Sequence, residues 1–141
     1  MDTMRFITCV LQNACRIHGY KLGHDGSDGY SDCIGLIVGA LALGGVSWPG
    51  INGTNYTARY LVDDLRQNAE LKMGDLVFKA RAPGEKGYDL PPRYTDSPDQ
   101  LDYYHVGVVL QADPLRIVHC TAAASAWMKN AATGGTAPGC G

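Results

Sequence analysis

The chain lacks any apolar run of the ~18 residues that a helix needs to cross a bilayer, and it lacks any block of basic residues. The first absence excludes a helical membrane span. The second, with no interleaving of basic and aromatic residues, argues against nucleic acid as a partner. Twelve Lys+Arg against 14 Asp+Glu leave a net charge of -2, scattered along the sequence. The N-terminal stretch MDTMRFITCV has no basic segment followed by a long apolar core, so no signal peptide is read there. Synthesis and residence in the cytoplasm are then the default expectation. Cys-x-x-Cys pairs are also missing: the five cysteines stand at 9, 15, 33, 120 and 140. Cys9 and Cys15 lie six apart in a helical pattern, which points them to different faces. No disulfide framework is expected, and Cys9, Cys15 and Cys120 read as packed thiols.

What is present is the composition of a globular protein, 45% hydrophobic and 18% charged over 141 residues. That length suits a single domain, 1–141, with 134–141 as a flexible tail. Apolar side chains at Met4, Ile7, Leu11, Ala14 and Ile17 recur with helical period over residues 2–18, with Asp2 or Thr3 as cap. Residues 19–30 hold four glycines and two aspartates and read as a loop. Ser31 or Asp32 can cap a second helix over 33–43, ended by Gly44-Gly45. A third helix is expected from Thr54 or Asn55 to about Gln67, with Tyr56, Tyr60, Leu61 and Leu65 on one face. The period then changes. Residues 74–80, 103–111 and 115–121 read as strands, the last two joined by a turn at Asp113-Pro114. Residues 82–102, with four prolines, have little scope for regular structure; a loop so long is usually functional. The Ala-rich segment after Thr121 reads as the start of a helix. Helices first and strands after predict an α+β fold with an antiparallel sheet.

One stretch carries chemistry. In GYSDCIGLIVGAL, residues 29–41, Cys33 sits between polar turn residues and an apolar run, where a helix begins. The positive end of the helix macrodipole and its unpaired N–H groups favour thiolate there, as a nucleophile requires. A lone cysteine is more often an inert small hydrophobe, so two histidines matter. In YYHVGVVL, His105 shares a face with Gly107 and Val109; in LRIVHCT, His119 shares one with Ile117 and Thr121. A hairpin centred on Ala112 makes His105 and His119 direct cross-strand neighbours. Cys33, His105 and His119 then have the makings of nucleophile, base and orienting group, the sulfur kept anionic by the nearby imidazole. The same residues with Cys120 are all zinc-capable, but 119 and 120 point to opposite faces of a strand. Neither a metal nor any other cofactor is expected.

The motifs together resemble the NlpC/p60 superfamily of cell-wall cysteine peptidases. They are YKLG at 20–23, DCIGL at 32–36, KMGDLVF at 72–78, HVGVVL at 105–110 and VHC at 118–120, in that family's order. The resemblance implies a papain-like α+β fold, with N-terminal helices packed on an antiparallel sheet and the catalytic Cys at a helix N-terminus. It implies Cys33 as nucleophile, His105 as base and His119 as orienting residue, with Tyr20 and Asp32 at the substrate or oxyanion. Asp32 is equally well read as a helix cap. Ile34 stands where relatives carry Ser, and Tyr30 rivals Tyr20 for the tyrosine role.

The activity so implied is cleavage of an amide bond in peptidoglycan stem peptides, between γ-D-glutamate and the diamino acid, with no cofactor. Alternatives are a CHAP-like N-acetylmuramoyl-L-alanine amidase and an inactive relative that binds wall fragments or a partner. A wall substrate for a chain without an export signal implies delivery by a phage tail or lysis system, or by a secretion machine.

Overall fold

The computed structural model describes residues 1–49, 53–67, 70–122 and, as a backbone strand, 126–130. Helix α1 spans Thr3–Arg16, and Asp2 caps it by accepting the N–H of Arg5 at 2.8 Å. Its buried stripe is Ile7, Val10 and Ala14, continued by Ile17. Met4 and Leu11, expected on the apolar face, point to solvent at 62% and 37% exposure. The stripe is thus turned toward Val10.

Helix α2, Gly35–Leu43, is apolar along its whole length, as suits a helix packed in a core. It starts two residues later than expected. Its contact with α1 is close because Gly39 has no side chain: a Cβ there would lie 1.9 Å from the carbonyl oxygen of Asp25 and 2.5 Å from Asn13 Nδ2. The buried Asn13 amide donates to the carbonyls of Asp25 (3.0 Å) and Leu36 (2.9 Å), tying α1, α2 and the loop between them. That loop is the glycine-rich segment. Its ends form a short parallel pair, β1 (Gly19–Tyr20) with β2 (Tyr30–Ser31).

The third helix is shorter than its apolar pattern predicts. An α-turn, α3 (Thr54–Tyr56), runs into a π-helical turn over Thr57–Leu61, and the chain is extended at Val62. Asp63 and Asp64 follow, and acidic charge at a helix C-terminus opposes the macrodipole. Leu65 and Tyr60 are left exposed.

Four strands make the main sheet in the order β3-β4-β5-β6, each pair antiparallel: β3 is Leu76–Arg81, β4 Asp102–Gln111, β5 Arg116–Cys120 and β6 Ala126–Asn130. The strand at β6 corrects the expected helix after Thr121. The proposed tail, 134–141, lies outside the described residues. Val106, Val108, Leu110, Val118 and Cys120 share one core with Ile7, Val10, Leu36 and Ile37. Burying such side chains stabilises the fold by about 1.5–3 kcal/mol each. Helices packed on an antiparallel sheet make the fold α+β.

The proline-rich 82–102 segment has one 3-10 turn, Pro92–Tyr94, and is anchored by Arg59. The Arg59 guanidinium donates to the carbonyls of Asp99 and Leu101, both at 2.8 Å, and lies over the rings of Tyr94 and Tyr103. Asn55 extends the anchor, donating to the buried Asp102 carboxylate at 2.9 Å.

Cys9, Cys33 and Cys120 are buried free thiols. Cys15 is disulfide-bonded, which corrects its reading as a packed thiol. Among the described residues no helix is long and apolar enough to cross a membrane.

Candidate active site

Cys33 lies in the turn that leads into α2, 8% exposed. The local fold there is built around Asp32. Its Oδ1 accepts the N–H of Gly35 at 2.7 Å and its Oδ2 the N–H of Gly23 at 2.8 Å. One carboxylate therefore caps the helix and clamps the preceding loop, and both its oxygens are engaged with backbone. Of the two readings open for Asp32, the geometry favours the cap. Gly35 is required beside it, since a Cβ there would fall 1.9 Å from the carbonyl oxygen of His24.

The thiol of Cys33 does not have the depressed pKa expected of a helix N-terminus. Burial pushes it up to about 11; the Asp32 carboxylate adds to the rise, while the backbone N–H groups of Val106, Ile34 and Cys33 itself pull the other way. The resting group is the thiol, not the thiolate. The physical reason is desolvation, which penalises the anion more than three N–H dipoles stabilise it. The same N–H of Val106 fixes the place of the sulfur: it lies against β4 at the residue that follows His105.

His105 and His119 meet. His105 Nε2 and His119 Nδ1 are 2.8 Å apart, and the rings cross edge to face with centroids 5.0 Å apart. They meet by a different register from the one expected. β4 and β5 pair Val108 with Val118 and Val109 with Ile117, and a bulge follows before Gln111 pairs with Arg116. The hairpin is therefore shifted by two residues from one centred on Ala112. An even shift keeps every side chain on its face, so the histidines become diagonal neighbours rather than direct ones. Gly107 makes the diagonal possible: a Cβ at Gly107 would lie 3.3 Å from His119 Cβ and 2.7 Å from Ile117 Cγ2. The space a side chain would fill is open to the imidazole. Gly107 and the N–H of Val106 are the site features that residue chemistry alone did not identify; Gly107 within HVGVVL was the available signal.

Tyr20, on β1, sits beside the sulfur. Its phenol is raised to about 12, chiefly by burial, with the neighbouring Cys33, Asp32 and Cys120 contributing. Its rival Tyr30 is 37% exposed and turned elsewhere, edge-on to His18 and under the ammonium of Lys21. The fully buried Cys120 donates its S–H to the carbonyl of Ser31 at 3.3 Å. Its pKa is pushed up to about 12 by burial, with Cys33 and Asp32 contributing.

Two groups of side chains thus stand along β4: Tyr20, Asp32, Cys33 and Cys120 on one part, His105 and His119 on the other, joined at the backbone of Val106. A recess of about 60 Å³ is lined by Gly23, His24, Asp25, Asp32, Ile34, Gly35 and Val38, and Cys33 is not among its lining residues. Ile34, in the place of the expected Ser, is buried in the core at 6% exposure. Two larger clefts, of about 660 and 600 Å³, lie along β3 and residues 61–67 and 70–72, and neither is lined by Cys33, His105 or His119. Among the described residues no group of three His, Cys, Asp or Glu is placed to hold a metal ion. Comparisons with protein families, curated proteins and solved structures find no match to this chain.

Proposed function

We propose that the protein is a cysteine hydrolase of the NlpC/p60 type, with a papain-like arrangement of nucleophile and base, acting on an amide bond of peptidoglycan stem peptides. The observation that carries the reading is the paired imidazoles of His105 and His119 on the strand whose next N–H, that of Val106, is aimed at the Cys33 sulfur. Cys33 is the nucleophile, His105 the base and His119 the group that orients it. The five motifs that resemble the superfamily supply the substrate class.

The chemistry follows from the protonation state. Since the resting sulfur is a thiol, attack is coupled to proton transfer: Cys33 adds to the scissile carbonyl as its proton passes to His105. Nε2 of His105 is bonded to His119, so the proton goes to Nδ1. The His119 contact holds the ring in place and supports the positive charge that forms, as the third member of such triads does. Collapse of the tetrahedral species releases the amine, protonated by His105, and leaves a thioester. Water, activated by the same ring, then hydrolyses it. The backbone N–H of Cys33 and the hydroxyl of Tyr20 are the donors for the oxyanion.

Mass spectrometry of muropeptides after incubation with wild type and with Cys33→Ala tests this. New products are expected with wild type only, at the bond from γ-D-glutamate to the diamino acid. Products that persist with Cys33→Ala would overturn the assignment of the nucleophile, and no products from wild type would overturn the activity. Products ending at muramic acid would favour an amidase instead. Delivery to the wall by a phage particle or secretion machine is the accompanying proposal, with cell fractionation its test.

A further inference from the structure

Lys79 sits next to the base. In the β3–β4 register it pairs directly with His105, and directly paired residues of an antiparallel ladder project from the same face with Cβ atoms roughly 4.5–5.5 Å apart. His105 is therefore flanked on one side by His119 from β5 and on the other by Lys79 from β3. The Lys79 side chain is exposed, and among the described residues its ammonium enters no hydrogen bond, ion pair or ring contact. The next cation on that strand face, Arg81, is already committed: it stacks 3.7 Å over the ring of Tyr104 and donates to the carbonyl of Gly87. No carboxylate answers Lys79 from the strands beside it. Asp102, paired with Arg81, is buried and holds Asn55 and the N–H of Asp89.

The ladder breaks at this point, with a bulge between Lys79 and Ala80 that leaves Tyr104 unpaired on β4. Bulges beside active sites re-aim side chains. Resting on the hydrolase reading, we infer that Lys79 is a specificity residue that binds a carboxylate on the leaving-amine side of the scissile bond. The side is set by the order of strands. The acyl group is attached at Cys33, whose sulfur neighbours Cys120 of β5 and the N–H of Val106. His105 must reach the departing nitrogen to protonate it, and Lys79 lies beyond His105 from His119. A carboxylate a few bonds from that nitrogen falls within reach of the flexible lysine chain. It can be the terminal carboxylate of the leaving residue or the side-chain carboxylate of a diamino diacid. Both offer the same anion.

The test uses the tripeptide L-Ala-γ-D-Glu-meso-diaminopimelate in three forms: free, amidated at the α-carboxyl, and amidated at the side-chain carboxyl. Binding is measured by calorimetry on Cys33→Ala, and kcat/KM on the active protein. One of the two amidated forms is expected to lose about twofold to fivefold in both, the upper part of the range for an exposed ion pair, and so to identify which carboxylate is bound. Lys79→Met is expected to abolish that discrimination, Lys79→Arg to retain it, and Lys79→Glu to invert it. Equal discrimination by wild type and Lys79→Met would overturn the inference and leave Lys79 as a charge that protects an edge strand. Absent turnover with intact, Lys79-dependent binding would instead overturn the hydrolase reading alone.

Discussion

Asp32→Asn separates two roles that one carboxylate fills. Each oxygen accepts one backbone N–H, from Gly35 at 2.7 Å and Gly23 at 2.8 Å, and the residue is buried. Asparagine keeps one acceptor and turns an NH₂ group toward the other donor, so one buried N–H loses its partner. Loss of a charge-assisted bond with a stranded donor costs about 2 kcal/mol. For a chain of 141 residues that corresponds to a fall in Tm of roughly 6–10 °C. Asp32→Ala strands both donors and is expected to cost about 3–4 kcal/mol. The second consequence has the opposite character. Asp32 raises the pKa of Cys33, Tyr20 and Cys120, so neutralising it makes the Cys33 thiol more acidic even as the fold weakens. Thermal unfolding measures the first effect. The pH dependence of alkylation at Cys33, followed residue by residue by mass spectrometry, measures the second; its midpoint is expected to drop from about 11. An unchanged Tm would refute the capping role, and a midpoint that stays or rises would refute the placement of the carboxylate beside the sulfur.

Stability is expected to fall as pH rises from about 9 to 11, because the unfolded chain gives up the Cys33 proton near 9 while the folded one keeps it to about 11. Unfolding titrations of wild type and Cys33→Ser check this, the serine variant showing the shallower decline. On the proposed mechanism, in which the His119 ring acts through His105, His119→Gln should lower kcat on stem peptides by about 10²-fold or more, with little change in KM or Tm; an unaltered kcat would remove His119 from the site. Gly107→Ala places a Cβ 2.7 Å from Ile117 Cγ2 and 3.1 Å from the carbonyl oxygen of Val118. It is expected to cost about 1–3 kcal/mol in denaturant unfolding and to reduce activity by displacing His119.

Local chemistry was legible where a residue's partners are its own neighbours in sequence. A cap at Asp2 or Thr3, a helix opening soon after Asp32, strands read at 74–80, 103–111 and 115–121 and found within two residues of those bounds, and the α+β order all follow from turn residues and periodicity. The face of each histidine followed too, because alternation along a strand survives a shift of two. The shift itself did not. It arises from a bulge near Gln111, a feature of two strands together, and the meeting of His105 with His119 depends on space left by Gly107. The third helix failed for a related reason: its apolar pattern continued to Leu65, yet the acidic pair at 63–64 ends the helix, and Arg59 is committed to the 94–102 segment instead.

The sequence by itself determined which residues could do chemistry and which element each stands on, since side-chain type and periodicity are properties of the chain alone. Only the tertiary structure decided the state of the sulfur. The pull of a helix N-terminus can be read from sequence, but burial depends on what α1 and the sheet stack around Cys33. Desolvation in that core outweighs the dipole, so the group rests as a thiol.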